Sequence, residues 1–97
     1  MASNNFNPTG YGEMIVAPYT SSAQAVPGGG GPTLQVTNLG PNAAVVILGD
    51  NTAVVTQGTG VLIPVNQSRD LAVGSATYIA GMALGGINSR LYLSQGT

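Results

Sequence analysis

Segments that alternate apolar and polar residues or run continuously apolar, separated by turn signals about every 8–12 residues, predict an all-β domain. The expected form is a small β-sandwich or jelly-roll-like barrel of about six to eight short strands, preceded by an extended N-terminal arm. Leu34-Gln35-Val36-Thr37 alternates with period two, the pattern of a half-buried strand. The run Ala43 to Leu48 is continuously apolar and rich in β-branched residues, which suits a strand buried on both faces. Arg90 to Ser94 places Leu91 and Leu93 on one face and Tyr92 on the other.

Between these segments lie turn clusters. Asn38-Leu39-Gly40-Pro41-Asn42 is one, and Gly49-Asp50-Asn51 is another, with Asp and Asn side chains suited to local bonds with the backbone. Ala53 to Thr56 is expected to return as a strand and form a hairpin with the Ala43–Leu48 run. Val61 to Val65 is a further strand, with Pro64 marking an edge or an end. Asn66 to Asp70 reads as a loop. Leu71 to Leu84 carries some helical spacing, but Gly74 and Gly81 each cost a helix about 1 kcal/mol relative to Ala. Thr77-Tyr78-Ile79 then tips that segment towards strand.

The chain divides near residue 32. Residues 1–32 hold four prolines and the run Gly28-Gly29-Gly30-Gly31, so they are expected to form the arm. Gly12 to Val16 is the one stretch there that could form a strand. Residues 33–97 form the β-domain. The arm carries Phe6, Tyr11 and Tyr19 with Glu13 as its only charge, unlike disordered linkers, which are poor in aromatics and rich in charge. Phe6, Tyr11, Met14, Ile15 and Tyr19 are therefore expected to anchor the arm on neighbouring subunits. On this division the β-domain should fold without residues 1–27.

Composition narrows the function. There is no Cys, His, Lys or Trp, and charged residues make up 5% of the chain against about a quarter in an ordinary domain. The side chains charged near neutrality are Glu13, Asp50, Arg69, Asp70 and Arg90. No disulfide or thiolate metal site can form, and no histidine can shuttle a proton. No catalytic residue, cofactor or metal is expected. Two arginines are too few for phosphate contacts, which argues against nucleic acid. The longest apolar run falls far short of the ~20 residues of a spanning helix, which argues against a membrane. No basic stretch followed by an apolar run marks a signal peptide at the N-terminus.

The glycine run lacks the Gly-Lys-Ser/Thr ending of a phosphate loop and is followed by Pro32, so it reads as a flexible joint. Glu13 lies in the arm, Asp50 in a turn and Asp70 beside Arg69, so these carboxylates read as surface and turn residues and not as a catalytic pair. Arg69 and Arg90 are candidates for a polar interface. A surface so poor in charge is expected to be covered partly by partners.

The layout Thr37 to Gly49 (TNLGPNAAVVILG), Val61 to Asn66 (VLIPVN), Tyr78 to Ala83 (YIAGMA) and Ser89 to Thr97 (SRLYLSQGT) resembles the small accessory proteins that decorate or cement the heads of tailed bacteriophages. That resemblance implies a non-enzymatic virion structural protein on the head surface, made in the host cytoplasm. It implies binding to the major capsid protein or other virion subunits, as a homo-oligomer with a trimer favoured, and an N-terminal arm that clasps neighbours. The alternatives are a self-polymerising tail or filament subunit, or a β-sandwich module binding carbohydrate or peptide through Tyr78 and Tyr92.

Overall fold

The computed structural model describes residues 8–28 and 31–97. Among them are eight strands and no helix, arranged as two four-stranded antiparallel sheets. The strands are β1 (Pro8–Val16), β2 (Ser22–Ala25), β3 (Thr33–Gly40), β4 (Ala44–Gly49), β5 (Val61–Ile63), β6 (Ser68–Ala72), β7 (Tyr78–Ala83) and β8 (Ser89–Gly96).

Sheet order is β1-β8-β3-β6 in one layer and β2-β7-β4-β5 in the other. The topology follows from one long antiparallel hairpin folded upon itself. Strand β1 pairs with β8, β2 with β7, β3 with β6 and β4 with β5. Rolling that hairpin adds the pairings β3 with β8 and β4 with β7. This is the eight-stranded jelly roll, a double-sheet solution that limits the number of open strand edges.

The core forms between the layers because each strand alternates. Met14 and Val16 of β1, Leu34 and Val36 of β3, and Leu91 and Leu93 of β8 point inward from the first sheet. Ala44 and Val46 of β4, Ile63 of β5, and Ile79 and Ala83 of β7 meet them from the second. Gly81 sits on the same inner face, where an added Cβ would lie 2.7 Å from Val16 Cγ1. Its missing side chain lets β1 pack close, so the residue that speaks against a helix serves the sandwich.

A second, smaller cluster lies on the outer face of the β2-β7-β4-β5 sheet. Val45, Ala80 and Met82 are buried there together with Val55. Val55 belongs to the long β4–β5 connection, whose Ala53 also packs on this face. The Val55 N–H donates to Ser21 Oγ at 3.0 Å, which pins the connection down. Strand β4 is thereby covered on both faces, as its unbroken apolar run predicts. Ala53 and Val55 are apolar because they roof the sheet, and residues 53–56 do not form the expected hairpin strand. Residues 68–72, expected partly as loop, form β6. The Leu71–Leu84 ambiguity resolves as strand: the end of β6, a turn, and β7.

The largest difference concerns the N-terminal boundary. Residues 8–28 are not a separate extended arm: β1 and β2 complete the two sheets. Met14 is only 2% exposed and lies in the core, so it anchors this domain and is not available as the expected partner contact. The physical reason is that Met14 and Val16 cover the second sheet at Gly81, beside Val46. The ends of the glycine run are also held. Gln95 accepts from the Gly28 N–H through Oε1 at 2.9 Å and donates through Nε2 to the Gly31 carbonyl at 2.8 Å.

Asn38 ties the β3–β4 turn to the rest. It is fully buried. Its Nδ2 donates to the carbonyls of Asn42 and Ile63, both at 2.8 Å, and its Oδ1 accepts from the Gly40 N–H at 2.7 Å. Its own backbone bonds Gln67 and Asn66.

Two outcomes follow from this packing. Deleting residues 1–27 should abolish cooperative urea unfolding, because it removes two strands and two core side chains; a truncated chain with a sharp transition would contradict the fold. Asn38→Ala removes the side-chain partners of the Ile63 carbonyl and the Gly40 N–H, while the Asn42 carbonyl keeps Ser89 Oγ, and at about 1–3 kcal/mol for an unsatisfied buried group it should lower the stability from urea melts by about 3 kcal/mol.

Candidate interaction surface

The outer face of the β1-β8-β3-β6 sheet carries a row set by register. Glu13 lies opposite Tyr92, Tyr92 opposite Thr37, and Thr37 opposite Ser68. The next row is Tyr11, Ser94, Gln35 and Asp70. Polar neighbours within these rows bond each other. Thr37 Oγ1 and Ser68 Oγ are 2.7 Å apart, and Gln35 Nε2 donates to Asp70 Oδ1 at 3.2 Å. Tyr11 and Tyr92 meet diagonally, with ring centroids 6.2 Å apart and planes tilted by 38°. Tyr11 is 60% exposed. Such a pair steadies two strands by roughly 0.2–1 kcal/mol and also presents a flat aromatic surface.

Further along, Ile15 lies opposite Arg90, and Arg90 opposite Gly40. Arg90 Nε stands 3.8 Å from Glu13 Oε2, a long and exposed ion pair of little energetic weight. The ladder of β3 is irregular between Asn38 and Gly40. Gly40 has φ +86°, a left-handed conformation open to glycine, and it contributes no side chain to the row. A cleft of about 530 Å³ results, lined by Ile15, Leu39, Pro41, Asn88 and Arg90 with Gly40 and Ser89. Its rims are built firmly. Ser89 Oγ donates to the Asn42 carbonyl at 2.8 Å and accepts from the Asn42 N–H at 2.9 Å, and Asn42 Nδ2 donates to the Ile87 carbonyl at 3.0 Å. Leu39 is 49% exposed and Ile87 60%.

A second cleft of about 390 Å³ lies at the opposite end, lined by Leu48, Asp50, Ala72, Val73 and Ala76 among others. Asp50 Oδ1 accepts from the Thr52 hydroxyl at 2.5 Å and the Thr52 N–H at 2.8 Å. The hydroxyl bond, aided by the backbone bond, holds the Asp50 carboxyl below its ordinary range. This is the local side-chain turn expected of Gly49-Asp50-Asn51.

The expected anchors separate under this geometry. Tyr11 and Ile15 are exposed on one sheet face. Tyr19 is exposed in the β1–β2 connection with φ 52°, its N–H bonded to the Ala83 carbonyl. Phe6 lies outside the described residues. Arg90 reaches the surface at the first cleft. Arg69 bonds its own edge, donating to Gln67 Oε1 at 3.2 Å and the Ser68 carbonyl at 3.0 Å. Tyr78 and Tyr92 belong to different sheets and form no joint site; Tyr11 is the partner of Tyr92. Sequence reasoning missed Leu39, Pro41 and Ile87, and also Val54 and Leu62, which are exposed near the second sheet. The available signal for Leu39 was a large apolar residue inside a turn cluster. Among the described residues, no three acidic, His or Cys side chains group to hold a metal.

No family model, curated protein or solved structure matches this chain.

The Asp50 turn gives a pH test. Its depressed folded-state pKa means its contribution to stability is present above the unfolded value and is lost as pH falls through the folded value. Thr52→Ala should raise the Asp50 pKa towards the ordinary carboxylate range in an NMR titration. An unchanged titration would contradict the assigned hydrogen bonds.

Proposed function

We propose that this chain is a non-enzymatic structural protein that decorates and cements a bacteriophage head. In this reading the jelly roll docks on major capsid or other virion subunits as a homo-oligomer, with a trimer favoured. The observation that carries it is a filled core beside large apolar side chains left outside: Tyr11, Ile15, Tyr19, Leu39, Val54, Leu62 and Ile87. With only five side chains charged near neutrality, this surface has little charge to keep it apart from neighbours. Burying apolar area across several subunits, at about 25 cal/mol per Å², is how a small domain can brace a shell. The clasping role passes from the whole N-terminal third to the residues ahead of Pro8 and to the exposed anchors Tyr11, Ile15 and Tyr19.

A second reading is a glycan-binding module. The Tyr11–Tyr92 pair favours it, since sugar rings stack on aromatic faces and the adjoining Gln35, Asp70, Thr37 and Ser68 offer hydrogen bonds.

The test is to purify virus-like particles from cells that make the chain and to probe them by mass spectrometry and immunogold labelling. The chain should co-purify in many copies and label heads. A chain confined to the soluble fraction would contradict the cement reading, and saturable glycan binding lost in Tyr92→Ala would favour the second.

A further inference from the structure

Both ends of strand β1 carry a feature, and the two cannot meet within one molecule. Pro8 lies opposite Gly96 at one end of the sheet. The cleft of Ile15, Leu39 and Pro41 lies at the other end, beside Arg90. From Pro8 to Ile15 is about 23 Å along the strand, at roughly 3.3 Å per residue. Seven residues, Met1 to Asn7, precede Pro8, and they contain one large apolar side chain, Phe6. Phe6 stands two residues from Pro8 and can reach only about 7 Å back along its own sheet.

We propose that the cleft of Ile15, Leu39 and Pro41 receives the Met1–Asn7 segment of a second copy of this chain, with Phe6 seated in it. The chemistry matches. The cleft is lined by the apolar side chains of Ile15, Leu39 and Pro41, by Gly40, and by the polar side chains of Asn88 and Arg90. The segment Met-Ala-Ser-Asn-Asn-Phe-Asn has no charged side chain to desolvate, and its amide groups suit the polar side chains of Asn88 and Arg90. A volume of about 530 Å³ is ample for an aromatic side chain with its neighbours. The contact is between unlike surfaces, so each copy offers one segment and one cleft. It builds on the assembly reading by naming a partner, yet it is tested without any particle.

The experiment uses full-length protein in sedimentation velocity across a concentration series. Wild type should self-associate. Phe6→Ala keeps the cleft and loses the anchor. Leu39→Arg keeps the anchor and blocks the cleft, at a site exposed enough to leave the fold intact by circular dichroism. Each variant alone should weaken association roughly tenfold or more. An equal mixture of the two should regain a 1:1 heterodimer, since one intact segment then faces one intact cleft. Ser75→Arg, exposed at the opposite end of the molecule, should associate like wild type. Wild type that stays monomeric, a Leu39→Arg protein that associates normally, a Ser75→Arg protein that does not, or a mixture that stays monomeric would each overturn the proposal. A chain found on particles but monomeric in solution would overturn this contact alone and leave the cement reading standing.

Discussion

The pairing of β1 with β8 is the constraint on which the rest of the molecule depends. It brings the first described strand against the last and closes the rolled hairpin. Once it forms, Met14 and Val16 cover the centre of the second sheet, and the outer rows of the first sheet come into register. The same pairing sends Pro8 to one end of the sheet and Ile15 to the other. It therefore sets the position of the cleft relative to the residues ahead of β1.

A chain with so few charges must satisfy its interior by other means. Amides and hydroxyls do that work here. Asn38, Gln95 and Ser89 are buried; each bonds two or more backbone groups, and each reaches at least one residue distant in sequence. Among the described residues no buried side-chain nitrogen or oxygen lacks a hydrogen-bond partner. These residues hold turns that side-chain packing alone would leave loose, and they do so without the desolvation cost of ions. The open edges are managed similarly. Gln24 Nε2 donates to the Glu13 carbonyl at 2.9 Å on the edge strand β1, Arg69 sits on the edge strand β6, and β5 is only three residues long.

Much of the fold is legible in the sequence where strands alternate or run wholly apolar. Leu34 and Val36, the Ala43–Leu48 run, and Leu91 with Leu93 all lie where period two places them. The N-terminal third is not legible in the same way. Its prolines and glycines suggest an arm, but Pro8 falls at a strand end, Pro18 in a connection and Pro27 after β2, so none interrupts a ladder. Ala53 to Val55 misleads for another reason: a loop that roofs a sheet needs apolar residues as much as a strand does. The interaction surface is partly legible. Tyr11, Ile15 and Tyr19 were visible as aromatic or apolar residues in a segment with little charge. Leu39 and Ile87 were hidden, because only the irregular ladder at Gly40 and the packing of the Asn42 turn against Ser89 turn that end of the sheet into a cleft.

Amide hydrogen exchange on the isolated full-length chain bears most directly on the claim that β1 belongs to the core. The amides of β1 that face β8 should exchange as slowly as those between β3 and β8, since both ladders open only with the sandwich. Fast exchange throughout Pro8–Val16, beside slow exchange in β3 and β8, would contradict it and restore the extended arm.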